Sequence, residues 1–359
     1  MNILADATLP DTATWFKEPF TLTLYDHNDH VASLLPGHDI LLCRSTLRVT
    51  ENLLKNTTIR CVATASSGTD HIDVTYLKKH HIDLIDAKGS NSRAVADYVV
   101  ASIAYLQQNG QLSGLQAGVV GVGKVGSHVV NRLHAAGFSV IYFDPLRASQ
   151  DPHFVSCELN ELTTCDLICI HANLHETKPY PSKHLFDSAL LQRLKTDAVI
   201  INSSRGDIVH EDDLLNTSRA IIYCTDVYSH EPDIDPRIVQ FSTLCTPHIA
   251  GHSIEAKQAA VIQVSEALHK RYGVAMPYHV LRQHQGDLIL SNKVSWQKTV
   301  LDCYSPCDDT QILKEAIDKK QAYLMQRKAH QNRHDFNVHD SSQLNEQTRM
   351  MLGYLVCQK

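Results

Sequence analysis

Short apolar runs recur along this chain, and each breaks off into small or polar residues. After residue 114 the runs are "LQAGVVGVG", "SVIYFD", "DLICIHA", "AVIINSS", "AIIYCTDV" and "STLCTPHIA". They are apolar at consecutive positions, which fits strands covered on both faces inside a parallel sheet. Nearer the start, "NILAD", "DILLC", "IRCVATAS" and "HIDLIDA" alternate with helical patterns such as "VTYLKKH". That alternation builds parallel β/α units. "SRAVADYVVASIAYLQQ" and "SIEAKQAAVIQVSEALHKRYG" carry apolar residues at helical spacing over long spans. Beyond Gly273 polarity rises, and "VSWQKTVLDCY", "TQILKEAIDKKQAYLMQRKAH" and "QTRMMLGYLV" predict a small α/β appendix. The expected fold is α/β: two Rossmann-like or flavodoxin-like domains with parallel sheets, plus a small C-terminal α/β domain.

A chain of 359 residues can bury more than one core. Its net charge of −6, without a long basic run, argues against a nucleic-acid partner. No apolar run reaches about 18 residues, so no membrane span is expected. The opening "MNILADATLP" reads as a first strand rather than a targeting segment. Ten cysteines without a CxxC read as the reduced thiols of a cytoplasmic protein, and no metal site is expected.

Gly121, Gly123 and Gly126 form GxGxxG around Val122, Lys124 and Val125, with a strand before and a helix after. Gly121 permits the tight turn, Gly123 lets the backbone approach a pyrophosphate, and Gly126 allows close helix–strand packing. The helix start at Lys124 and Val125 offers unpaired N–H groups and partial positive charge. Asp144 closes the next strand, where a carboxylate can accept from ribose hydroxyls and repel a 2′-phosphate. NAD is therefore expected over NADP, although Arg147 lies nearby. Taken alone, the glycine motif also admits S-adenosylmethionine.

"NSSRGDIV" ends a strand with an arginine, which is costly to bury without an anionic partner. Arg205 can grip a carboxylate bidentately. The following glycine is expected to leave room for cofactor and substrate. His248, in "CTPHIAGHS", suits proton exchange near neutrality. Glu231, in "TDVYSHEPDID", would favour imidazolium and fix the ring tautomer if paired with His248. All three follow successive strands, so they should gather at the carboxyl edge of one sheet beside the glycine turn. In the first half, "TASSGTDHID" leads into an expected helix start whose N–H groups can receive an anion.

Asn91 with "AVADYV", "GVVGVGKVG", "NSSRGDIV", "DVYSHEP" and "TPHIAGH" together resemble the D-isomer-specific 2-hydroxyacid dehydrogenases. "ILADATLP", Arg44-Ser45, "TASSGTDHID" and "VLDCYSPCDDTQILKEAID" resemble the branch of that family that carries an extra C-terminal domain. The resemblance implies a discontinuous substrate domain at 1–94 and 255–280, an NAD domain at 95–254, and a C-terminal domain at 281–359 that supports a homodimer. It places Arg205, Glu231 and His248 in catalysis. Ser45, Ser66, Ser67, Gly68 and His252 take substrate places. Asp144, Ser203, Ser204, Arg205, Asp226 and Gly251 take cofactor places with the glycine turn. The implied reaction is NAD-dependent oxidation of a phosphorylated sugar acid at C2. Two positions depart from the family pattern: His252 stands where a tyrosine is usual, and Ala172 where a threonine is usual. The alternatives are a dehydrogenase for another 2-hydroxy acid, such as 3-phosphoglycerate or glycerate, and an NAD(H)-sensing binding protein.

Overall fold

Consecutive apolar residues on a strand must be covered from both sides, and the architecture follows from that need. The computed structural model describes residues 1–277, 286, 288, 290 and 293–354. The chain forms two compact units, Met1–Asn91 with Ser253–His284, and Ser92–His252 with Gln285–Lys359.

The first unit holds five parallel strands: β1 (Asn2–Asp6), β2 (Thr21–Tyr25), β3 (Ile40–Cys43), β4 (Cys61–Thr64) and β5 (Asp83–Asp86). Their order is β2-β1-β3-β4-β5. Alternate residues divide between two cores. Ile3, Ala5, Ile40, Leu42, Cys61 and Ala63 pack under Ala260, Val261, Val264 and Leu268 of the helix Ile254–Tyr272. Leu4, Leu41, Cys43 and Val62 face Val31, Leu35, Leu54 and Leu77 on the other side. The long helix is capped by Ser253, whose Oγ accepts from Ala256 N at 3.0 Å, and stops at Gly273, where φ is +66°. This helix belongs to the first unit, after the chain has built the strands of the second. β2 was not anticipated, because "TLTLY" lies at the sheet edge and exposes Thr21 and Leu24.

The second unit holds six parallel strands: β6 (Gln116–Val120), β7 (Ser139–Phe143), β8 (Leu167–Ile170), β9 (Ala198–Asn202), β10 (Ile221–Thr225) and β11 (Leu244–Cys245). They run in the order β11-β10-β9-β8-β6-β7. The order reverses between β6 and β8, where open parallel sheets form a ligand crevice at the carboxyl edge. A Rossmann sheet would carry another strand beyond β7. Here that neighbour is reduced to the segment around Cys157, whose N–H bonds Tyr142 O at 2.7 Å.

The C-terminal segment differs from expectation. Among the described residues it contains helices Trp296–Cys303, Pro306–Glu315, Lys319–Ala329 and Glu346–Met351, and no strand. Among the described residues it forms no separate core. Trp296, Val300, Phe336 and Met351 join one face of the second sheet, and Leu313 and Tyr323 join the other. The apolar spacing that suggested an appendix serves to complete the layers over a sheet. Part of the run before Val294 lies outside the described residues.

A buried ion pair anchors this arrangement: Arg132 Nη1 lies 2.5 Å from Asp97 Oδ1, and both side chains are almost wholly enclosed. Asp97 Oδ2 also accepts from Phe336 N at 2.9 Å. Burial pushes the Asp97 carboxyl up to about 6, against the pull of Arg132. Removing the guanidinium strands that charge. Arg132→Met should cost about 3–5 kcal/mol in chemical denaturation at pH 8. The loss should shrink at pH 5, where the carboxyl can take a proton in the folded state.

Candidate active site

Every strand of the second sheet points its carboxyl end the same way, so the loops after β6 to β11 share one edge. Gly121 follows β6 with φ +84°, and a Cβ there would sit 2.6 Å from Ala172 Cα. A Cβ on Gly126 would sit 2.1 Å from Gly121 O, so the helix Lys124–Ala135 can approach only without one. Beyond its chain neighbours, no atom of the described residues lies within 4 Å of the Cβ position of Gly123, which leaves that backbone open to an anion. The three glycines thus allow the tight turn, an open backbone and close helix packing, and Lys124 and Val125 open the 12-residue helix.

Asp144, after β7, accepts from Val122 N at 2.8 Å and from Arg147 N at 3.0 Å. Arg147 donates to Val122 O at 2.7 Å and lies 4.3 Å over the Phe154 ring. That guanidinium is committed to its own loop, which leaves the carboxylate to set the charge beside the turn. A cavity of about 400 Å³ opens here, lined by Gly121, Asp144, Leu146, Ala172, Tyr180 and Lys183. A cavity of about 440 Å³ at the amino edge, around Asp166, Lys195 and Ala198, lies away from all these groups. Location, not size, marks the site. The open Gly123 backbone, the helix start and the cavity beside Asp144 fit a dinucleotide.

After β9, Asn202 staples the arginine loop. Its Nδ2 donates to Arg205 O at 2.9 Å and its Oδ1 accepts from Ser204 N at 3.2 Å. Ser204 Oγ donates to Ala172 O, and Ser203 Oγ lies 3.5 Å from His171 Nδ1. Burial holds His171 down at about 3, so it is neutral. Arg205 Nη1 donates to Ser204 O at 2.7 Å. Gly206 corrects an expectation. It does not clear space for ligands, because a Cβ there would fall 2.0 Å from the Tyr228 carbonyl carbon. Its role is to let the arginine loop lie against the glutamate loop.

After β10 and β11 the expected pair forms. Glu231 Oε2 and His248 Nδ1 are 2.6 Å apart. Glu231 Oε1 accepts from Tyr228 N at 2.9 Å. Burial pushes the Glu231 carboxyl up, but the charge and hydrogen bond of His248 outweigh it and hold the group at about 2. His248 has φ +56°, a left-handed conformation that favours glycine. The loop is held there by Asp226, which accepts from Thr246 Oγ1 at 2.7 Å, Ile249 N at 2.7 Å and Ala250 N at 2.8 Å. Burial raises the Asp226 carboxyl to about 6. Asp226, expected at the cofactor, is thus engaged in holding the His248 loop. Gly251 follows that loop, and the His252 ring lies 6.3 Å from the His330 ring.

One site contact had no sequence signal. Tyr323, on the helix Lys319–Ala329, donates its phenol to Glu231 Oε2 at 2.8 Å. A partner 92 residues away in a polar helix cannot be read from spacing.

In the first unit, Ser45 N donates to Ser66 Oγ at 3.0 Å, and Gly89 N donates to Ser67 Oγ at 3.0 Å. Arg44 Nε reaches Asp6 Oδ2 at 2.9 Å. Ser45, Ser66, Ser67 and Gly68 therefore gather past the ends of β3 and β4. The helix expected after them begins only at Val74 and is capped by Asp73. What these residues present is loop N–H groups and hydroxyls, not a helix end. Among the described residues no cluster of three His, Cys, Asp or Glu could hold a metal.

The pattern of the D-isomer specific 2-hydroxyacid dehydrogenase NAD binding domain matches residues 93–250. The chain belongs to that family and is an NAD-dependent dehydrogenase. It is 49% identical over 342 residues to an erythronate-4-phosphate dehydrogenase of Legionella pneumophila, covering 95% of this chain and 97% of that protein. Against the erythronate-4-phosphate dehydrogenase of Coxiella burnetii RSA 331 it is 33% identical, with 88% of each chain covered. The fold resembles the NAD-dependent formate dehydrogenase of Staphylococcus aureus, with TM-score 0.63 and 22% identity over 76% of this chain and 96% of that one.

Asp226→Ala would leave buried N–H groups of Ile249 and Ala250 without their acceptor. It should cost about 2–4 kcal/mol in urea unfolding. A stability equal to wild type would show that the loop finds other partners.

Proposed function

We propose that this enzyme oxidises 4-phospho-D-erythronate at C2 to 2-oxo-3-hydroxy-4-phosphobutanoate, a step of pyridoxal phosphate synthesis. The Glu231–His248 pair at 2.6 Å carries the reading, because it supplies an oriented acid–base imidazole on the sheet edge that also bears the glycine turn. Near full-length identity to relatives named for this activity supports the substrate.

Held at the glycine turn beside Asp144, NAD would supply the acceptor for the C2 hydride. The chain's own residues manage the proton and the charges. His248 Nδ1 is held by Glu231, so Nε2 is left to take the C2 hydroxyl proton as the carbonyl forms. Glu231 remains ionised and stabilises the imidazolium. Arg205 orients the substrate carboxylate. Ser45, Ser66, Ser67 and Gly68 are assigned to substrate binding through their hydroxyls and N–H groups, and His252 is assigned to the phosphate. Asp144 selects NAD by accepting from ribose hydroxyls.

The enzyme is assigned as a homodimer. Ile312, Ile317, Leu324 and Met325 expose apolar side chains on or between the helices Pro306–Glu315 and Lys319–Ala329, which suits a face covered by a second copy. The cytoplasm is the assigned compartment, since the described cysteines are all free thiols.

With NAD, 4-phospho-D-erythronate and a trap for the oxo acid, wild type should form NADH. His248→Ala should lower kcat by about 10²–10⁴-fold while leaving NADH binding nearly intact. Unchanged turnover would overturn the assignment of the base. In sedimentation, Ile317→Glu with Leu324→Glu should shift dimer to monomer; a dimer in the double variant would place the interface elsewhere.

A further inference from the structure

The carboxylate that orients His248 has a second proton donor, and it comes from the far end of the chain. Tyr323 OH and His248 Nδ1 both engage Glu231 Oε2, at 2.8 Å and 2.6 Å. The phenol is enclosed: Tyr323 is 2% exposed and meets the Tyr228 ring edge-on at 6.2 Å. Arg327, one turn further along the same helix, donates Nη1 to the phenol oxygen at 3.1 Å. Lys320 ties the helix start to Asp233 at 2.8 Å, two residues past Glu231. The line Arg327–Tyr323–Glu231–His248 is thus continuous.

We propose that Tyr323 is a positioning residue for the acid–base pair, drawing on the oxygen that His248 uses and so setting how much carboxylate charge the imidazole receives. The proposal rests on the reading of Glu231 and His248 as the acid–base pair. A carboxylate oxygen shared between two donors is a weaker acceptor for each. Removing the phenol concentrates charge on His248 and holds the imidazolium more tightly. The base is then less available at a given pH. An arginine donating to the phenol oxygen makes the phenol a stronger donor, so its loss acts in the same direction but less. The charged and titratable groups around the pair are Asp226 behind His248, the Tyr228 phenol directed to Thr246 O, Tyr323, Arg327 and the Lys320–Asp233 pair. Of these, Tyr323 shares Glu231 Oε2 with His248.

Tyr323→Phe keeps the ring and removes the hydroxyl; Arg327→Met weakens it from behind. Proton NMR of the full-length enzyme reads the relay without substrate. The Nδ1–H resonance of His248, identified by its loss in His248→Gln, should move downfield in Arg327→Met and further in Tyr323→Phe. In turnover, the acid limb of kcat/KM should move up by about half a pH unit in Tyr323→Phe, lowering the rate on that limb about threefold. NADH affinity and unfolding midpoint should stay near wild type. A His248 resonance unmoved in both folded variants overturns the proposal, and so does a shift in the opposite order. Wild-type inactivity on 4-phospho-D-erythronate would count against the substrate assignment alone, because the resonance is read without it.

Discussion

A carboxylate held against an imidazole nitrogen is the contact on which the rest of the second unit converges. At 2.6 Å from His248 Nδ1, Glu231 fixes which ring nitrogen is occupied and which is left for a substrate. His248 makes this contact with φ at +56°, a conformation that costs a residue with a Cβ about 1–3 kcal/mol. Asp226 offsets that strain by accepting from Thr246, Ile249 and Ala250, and so keeps the loop in the one shape that turns His248 toward Glu231. A buried carboxylate is tolerated there because three donors satisfy it, and the charge of His248 acts on it as well.

The parallel sheet makes the convergence possible. Strands with buried faces on both sides run in one direction, so the glycine turn, Asp144, the arginine loop, Glu231 and His248 emerge on one edge without any long-range design. Gly206 removes the last obstacle between neighbouring loops, since Tyr228 backbone occupies the volume a side chain would need. The C-terminal helices contribute to the layers on both faces of that sheet, and the helix Lys319–Ala329 brings Tyr323 to the carboxylate. The segment that looks like an addition by sequence is part of the site's frame.

Much of this was legible in the residues. Consecutive apolar runs identify interior strands because burial on two faces leaves no polar alternation. Loop residues after consecutive parallel strands must share an edge, so Glu231 and His248 could be paired before any coordinates. Other features were hidden for physical reasons. β2 is a five-residue edge strand that exposes Thr21 and Leu24, so no continuous apolar run marks it. Gly206 reads as open space in sequence and as close packing in three dimensions, since an absent side chain serves either purpose. Ser66–Gly68 precede a helix, yet five residues of turn and bridge intervene before Val74. The contact of Tyr323 depends on how a distant helix docks, which no local pattern encodes.

Neutron diffraction from deuterium-exchanged crystals, grown at a pH where His248 is neutral, locates the deciding proton directly. This account predicts deuterium on Nδ1 facing an unprotonated Glu231 carboxylate, with no deuterium on Nε2. Deuterium on Nε2 of a neutral ring, with Glu231 carrying its own, would mean that the pair cannot serve as the base described.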